Sequence, residues 1–178
     1  MQPVSPSATR YDALTIVLHW TVAVLVVEQL LGAQIIDWFP SGPLRTDARS
    51  VHIVLGVTLA VVLATRIVWR LTLGRQLAPD PGLLNHAARF VHQLLYVLLT
   101  AMVLVGIVLV SARGDSIFGA FSVWSFAPGN RGLAEWISGL HNTLAWTIIS
   151  VAGLHAAAAL FHRTILKDQV LQRMWPRG

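Results

Sequence analysis

The chain has 178 residues, is 55% hydrophobic and only 12% charged, and has a positive mean hydropathy. A water-soluble domain carries more charge than this, and the apolar residues come in blocks of the roughly 20 residues that cross a bilayer. The absence of cysteine excludes disulfides, cysteine zinc sites, iron–sulfur clusters and covalent haem attachment. The net charge of +5 comes from basic residues scattered at the ends of apolar blocks, which argues for membrane topology and against a nucleic-acid partner.

The first block, ALTIVLHWTVAVLVVEQLLGAQII (13–36), ends at the breaker DWFPSGP. It is longer than the apolar region of a signal peptide and lacks its basic start, so a retained span is expected. The second, VHIVLGVTLAVVLATRIVWRLTL (51–73), precedes the proline- and glycine-rich GRQLAPDPG. The third, FVHQLLYVLLTAMVLVGIVLVSA (90–112), gives way to RGDSIFGAFSVWSFAPGNRG, whose apolar run either lies along the membrane surface or caps the bundle. The fourth runs from about Ala134 to Leu166 (134–166), long enough to tilt or to project.

Four spans put both termini on one side. The termini, the 2–3 loop and its flanks carry Arg10, Arg66, Arg70, Arg75, Arg89, Arg163, Lys167, Arg173 and Arg177, against Arg45, Arg49, Arg113 and Arg131 opposite. The positive-inside rule then predicts cytoplasmic termini. The expectation is an all-α integral membrane protein: one domain over 1–178, folded as a four-helix transmembrane bundle. The outer loops hold as many acidic as basic residues, with Asp37, Asp47, Asp115 and Glu135 offsetting the four arginines. Most tryptophans lie near span ends, as in an aromatic belt.

Seven histidines sort by depth. His19 lies toward the inner end of span 1 and His52 at the outer end of span 2. In span 4, His141 lies near the outer end and His155 deeper. The last two are 14 residues apart, so they share a face about 21 Å apart in height. Matched by level, His52 pairs with His141 and His19 with His155. A lone intramembrane histidine often just bonds a neighbouring helix, and alanine and glycine often mark close packing. Two pairs at two depths instead predict bis-histidine ligation of two non-covalent b haems, with both axial positions filled by neutral imidazole. Zinc fits poorly, since neither level offers four ligands.

His92 and His162 lie near the inner surface and His86 in the 2–3 loop. All three have a plain reading as interfacial or solvated polar residues. His162, seven residues beyond His155, is also a candidate for proton exchange with a quinone head group. Arg66 and Arg70 are topology anchors and candidate partners of haem propionates. Glu28, in mid-span, is either protonated and turned to the bundle or part of a proton path.

The segments LHW (18–20), VHIVLG (51–56), LHNTLAW (140–146) and GLHAAAALFH (153–162), followed by KD and LQRMWP, resemble the bacterial cytochrome b561 family, and most of all its superoxide oxidase members. The resemblance runs from about Thr15 to Pro176. It implies a multi-pass protein of the bacterial inner membrane with haem ligands at His19, His52, His141 and His155. It also implies oxidation of superoxide and reduction of ubiquinone, with His162 and Lys167 as candidates for the quinone site. The alternative is an electron-transfer subunit that links a separate redox partner protein to the quinone pool.

Overall fold

A computed structural model describes residues 10–77 and 83–176; Arg177, one of the nine inner charges, lies outside them. Among the described residues, four helices are long and apolar enough to span a membrane: α1 (Ala13–Ile36), α2 (Pro43–Thr72), α3 (Leu83–Arg113) and α4 (Arg131–Phe161). In lipid no water can satisfy a backbone amide, so runs of leucine, valine and alanine close their own hydrogen bonds as helices. Three of the helix starts have a local cause. Asp12 caps α1 by accepting from Thr15 N at 2.9 Å, Pro43 opens α2 at its first turn, and Asn130 caps α4 by accepting from Leu133 N at 3.1 Å.

The helices outrun the apolar blocks at charged ends. α2 begins at Pro43 and carries Arg45, Asp47 and Arg49 in its outer turns, while α3 begins at Leu83. His86 therefore sits in the first turns of α3 and not in a loop. α4 passes into a π-helical turn over His162–Leu166 and stops at Lys167, whose φ of 54° turns the chain back.

α1 packs on α2 and α3 on α4, and α2 meets α3. The central core is a plug of Val22, Leu25, Leu59, Leu63, Leu99 and Ile148, drawn from all four helices. Ile148 stands midway between His141 and His155 on α4, so the plug lies between an outer and an inner histidine level. A second cluster of Leu109, Ala112 and Ile137 joins α3 to α4 at the outer end.

The outer loop forms a short hairpin, β1 (Ser116–Ile117) against β2 (Phe121–Ser122). Its turn places Phe118 and Gly119 at φ 50° and 67°, the pair of positive values that a primed hairpin turn requires. Ser50, fully buried on α2, fixes the hairpin: its hydroxyl donates to Thr46 O at 2.7 Å and accepts from Phe118 N at 2.8 Å.

At the inner end Asp12 gathers four donors: Thr15 N at 2.9 Å, Thr15 Oγ1 at 2.7 Å, Trp69 Nε1 at 3.0 Å and Arg75 N at 3.0 Å. Partial burial pushes its pKa up, but the bonds from Thr15, Arg75 and Trp69 outweigh this and hold the carboxyl below the usual carboxylate range. The C-terminal segment crosses the same end. Tyr11 N donates to Arg173 O at 3.3 Å, Trp20 Nε1 to Met174 O at 2.8 Å, and Arg10 to the carbonyls of Gln172 and Trp175.

Because the Asp12 pKa is depressed in the folded state, its stabilisation is complete above the unfolded carboxylate value of about 4 and fades as pH falls through the lower folded value. Asp12→Ala should cost about 1–2 kcal/mol at pH 7, as loss of a helix cap does. Thermal unfolding in detergent should show that deficit at pH 7 and a smaller one at pH 3.

Candidate functional site

The interior compartments hold the histidines. On the outer level, His52 of α2 faces His141 of α4 with ring centres 6.4 Å apart. On the inner level, His19 of α1 faces His155 of α4 at 6.3 Å. These are the two pairs that depth-matching brings together. The spacing has a chemical meaning. A metal–nitrogen bond is about 2.0 Å, and an imidazole nitrogen lies about 1.1 Å from its ring centre. Two imidazoles on opposite faces of one iron are therefore about 6.3 Å apart, centre to centre, and both pairs meet that requirement.

The outer pair borders a cavity of about 1300 Å³ lined by residues of all four helices and the hairpin. This exceeds the roughly 300–1,000 Å³ of ordinary small-molecule sites. The Nδ1 atoms of His52 and His141 are buried without a hydrogen-bond partner. Small residues make the room: a Cβ on Gly106 would lie 3.4 Å from His141 Cε1, and one on Gly56 would lie 3.0 Å from Gln29 Nε2. At the mouth stand Arg49, paired with Asp115 at 3.2 Å, and Arg113, which donates to Ser138 Oγ at 3.0 Å. Arg45 is turned to Asp37 at 2.5 Å. The hairpin supplies Ile117 and Phe121 to the cavity wall.

The inner level has a third imidazole. His92 of α3 lies 5.1 Å from His155, edge to face. That is too short for an iron between them, and it leaves His19 as the ring at ligation distance. The sequence pointed to His92 only as an interfacial residue because its apolar block starts at Phe90. The helix starts at Leu83, so His92 is nine residues, about 14 Å, along it. Depth-matching with the true helix start would have found it. No group of three or more metal-binding side chains with cation geometry occurs among the described residues.

Arg66 is the charged member of the inner cluster and is only 9% exposed. It donates to Thr15 O at 3.1 Å, contacts His19 Nδ1 at 3.3 Å, and lies 5.7 Å over the Tyr96 ring. Carbonyl, imidazole and aromatic face are all neutral partners. A cation at this depth is a ready partner for a carboxylate-bearing ligand. Arg70 is engaged elsewhere: it stacks 5.0 Å from Tyr11 and donates to Arg75 O at 3.1 Å.

Past the π-turn, His162 Nδ1 meets Asp168 Oδ2 at 2.5 Å. Slight burial raises the Asp168 pKa, but the bonds from His162 and from Val170 N, with the charges of His162 and Arg173, bring it below the usual range. Asp168, six residues after His162, is a partner that the spacing alone does not single out. Lys167 is exposed at the left-handed position beside it.

Comparison with known proteins bears on the whole of this arrangement. The profile of the prokaryotic cytochrome b561 family matches residues 10–177. The chain is 31% identical to cytochrome b561 homolog 1 of Escherichia coli strain K12, over 94% of this chain and 98% of that protein. It is 30% identical to the probable superoxide oxidase CybB of Yersinia pestis, over 94% and 97%. Against cytochrome b562 of Cereibacter sphaeroides it is 29% identical, over 92% and 94%. Four apolar helices, histidines paired between them and a match along nearly the full chain agree: the protein belongs to the prokaryotic cytochrome b561 family of haem b-binding, electron-transferring membrane proteins.

Proposed function

We propose that the chain binds two b haems, one between His52 and His141 and one between His19 and His155, and passes electrons from superoxide outside to ubiquinone inside. The termini are cytoplasmic, as the basic residues at the inner ends argue, and the membrane is the bacterial inner membrane. The observation that carries the reading is the spacing of the two imidazole pairs, 6.4 and 6.3 Å, at two levels of one bundle. Held by these four histidines, bound haem would supply one-electron transfer.

The chain's own residues supply the rest. Arg49 and Arg113, at the mouth of the outer cavity, are the cations that meet a small anion there, in a lining that also holds Asp37, Asp115 and Glu135. Arg66 offsets propionate charge at the inner level, where an unpaired carboxylate is costly. The apolar plug keeps water from joining the compartments. His162, held by Asp168, exchanges protons with the quinone, and Lys167 beside it supplies a positive charge. The sum balances: two superoxide ions, one ubiquinone and two protons give two oxygen molecules and one ubiquinol. The probable superoxide oxidase among the relatives supports this choice of donor. The rival, an electron-transfer subunit fed by a separate redox protein, shares the haems and lacks the reaction with superoxide.

Replacing His52 or His141 by alanine should halve the haem content and remove the outer signal. Replacing His19 or His155 should remove the inner one, and pyridine haemochrome assay with low-temperature spectra reads both. A variant of this set that keeps both signals breaks the pairing. In stopped-flow, superoxide should reduce the oxidised protein rapidly, with reoxidation only when ubiquinone is present; haem bands that ignore superoxide but answer to quinol select the electron-transfer subunit. His162→Ala should slow quinone reduction about 100-fold with both haems intact.

A further inference from the structure

Glu28 is the one carboxylate away from the helix ends in the four spans, and nothing in the electron path uses it. It lies eight residues before the end of α1, about 12 Å below that end and therefore under the head groups. His52 stands at a comparable depth, nine residues, about 14 Å, into α2. Glu28 is exposed on the bundle surface, where an isolated carboxylate facing lipid is costly.

What it faces is a groove. Between α1 and α2 runs a cleft of about 730 Å³, with Val24, Val27 and Leu31 on one side and Val51 and Leu55 on the other. Its polar lining comes from Glu28, Gln29 and His52. Gln29 and His52 also line the outer cavity, so they form a wall common to both spaces. The amide of Gln29 reaches this wall because Gly56 has no side chain, and its Oε1 is buried without a hydrogen-bond partner.

We propose that this groove is a lateral binding site, entered from the bilayer, for the head group of a lipid-borne quinone or hydroquinone beside the outer histidine pair. An acyl chain would leave Glu28 and Gln29 unsatisfied, and a phospholipid head group does not reach this depth. A ring with hydroxyl groups on opposite edges donates to the Glu28 carboxylate and to Gln29 Oε1 at once, and in the oxidised ring the carbonyls accept from Gln29 Nε2 and from a protonated Glu28. Its isoprenoid tail lies along Val24, Val27 and Leu31. The site is distinct from the inner one at His162, and it rests on the quinone half of the proposed function.

The test is photolabelling of the haem-loaded protein in lipid nanodiscs with an azido ubiquinone analogue, mapped by peptide mass spectrometry. Labelling of residues 20–35 is expected, competed by excess unlabelled analogue. Glu28→Leu should lower it about tenfold near half-saturation, the effect of losing one or two hydrogen bonds. Glu28→Gln should largely retain it. Gly32→Trp should also block it, since a Cβ at Gly32 meets nothing within 4 Å and the indole fills the groove. Labelling around residues 162–168 should persist in all three variants. Labelling of α1 that is absent, that unlabelled analogue does not compete, or that survives Glu28→Leu and Gly32→Trp overturns the groove site alone. Loss of labelling at both positions in the parent protein overturns the quinone reading with it.

Discussion

Each imidazole pair faces across a gap of 6.3 or 6.4 Å between ring centres, and the rest of the bundle depends on keeping that gap open. Two rings at this distance make no bond with each other, and burying the outer pair with both Nδ1 atoms unpartnered is costly. The bundle therefore needs helices that approach closely somewhere else. Packing of α1 on α2 and of α3 on α4 supplies that, with the plug around Leu63 and Ile148 between the levels. A bundle packed uniformly along its length would have no outer compartment of 1300 Å³.

The two compartments are built with different electrostatics. The outer one has arginines at its mouth, balanced by Asp37, Asp115 and Glu135, and is walled on one side by a hairpin pinned to Ser50. The inner one holds a guanidinium inside, on a carbonyl, an imidazole and a tyrosine face. Charge at a mouth acts on what approaches, and charge inside acts on what is bound. Asp12 makes the inner arrangement rigid. By collecting Thr15, Trp69 and Arg75 it locks the start of α1 to the end of α2, which sets His19 and Arg66 beside each other.

Much of this was legible in the residues. Apolar length located four spans, because a bilayer imposes one segment length and one secondary structure. Counting along α4 put His141 and His155 on one face at two levels, because helical rise is constant. Other features were out of reach for specific reasons. His92 was read as a rim residue because α3 begins seven residues before its apolar block. Asp168 acquires its role only through the π-turn that brings it back to His162. Arg66 and Arg70 look alike on the sequence, one turn apart, yet one points to His19 and the other to Tyr11.

By itself, then, the sequence determined the membrane class, the number of spans and the levels of His19, His52, His141 and His155, since these depend on composition and on position along one helix. Only the tertiary structure decided which rings stand at 6.3 Å and which at 5.1 Å, which arginine is buried, and that Gln29 and His52 share a wall between a groove and a cavity. These are relations between helices. They depend on rotation and tilt, set by packing at residues such as Gly56 and Gly106, and a linear count along one chain carries no information about either.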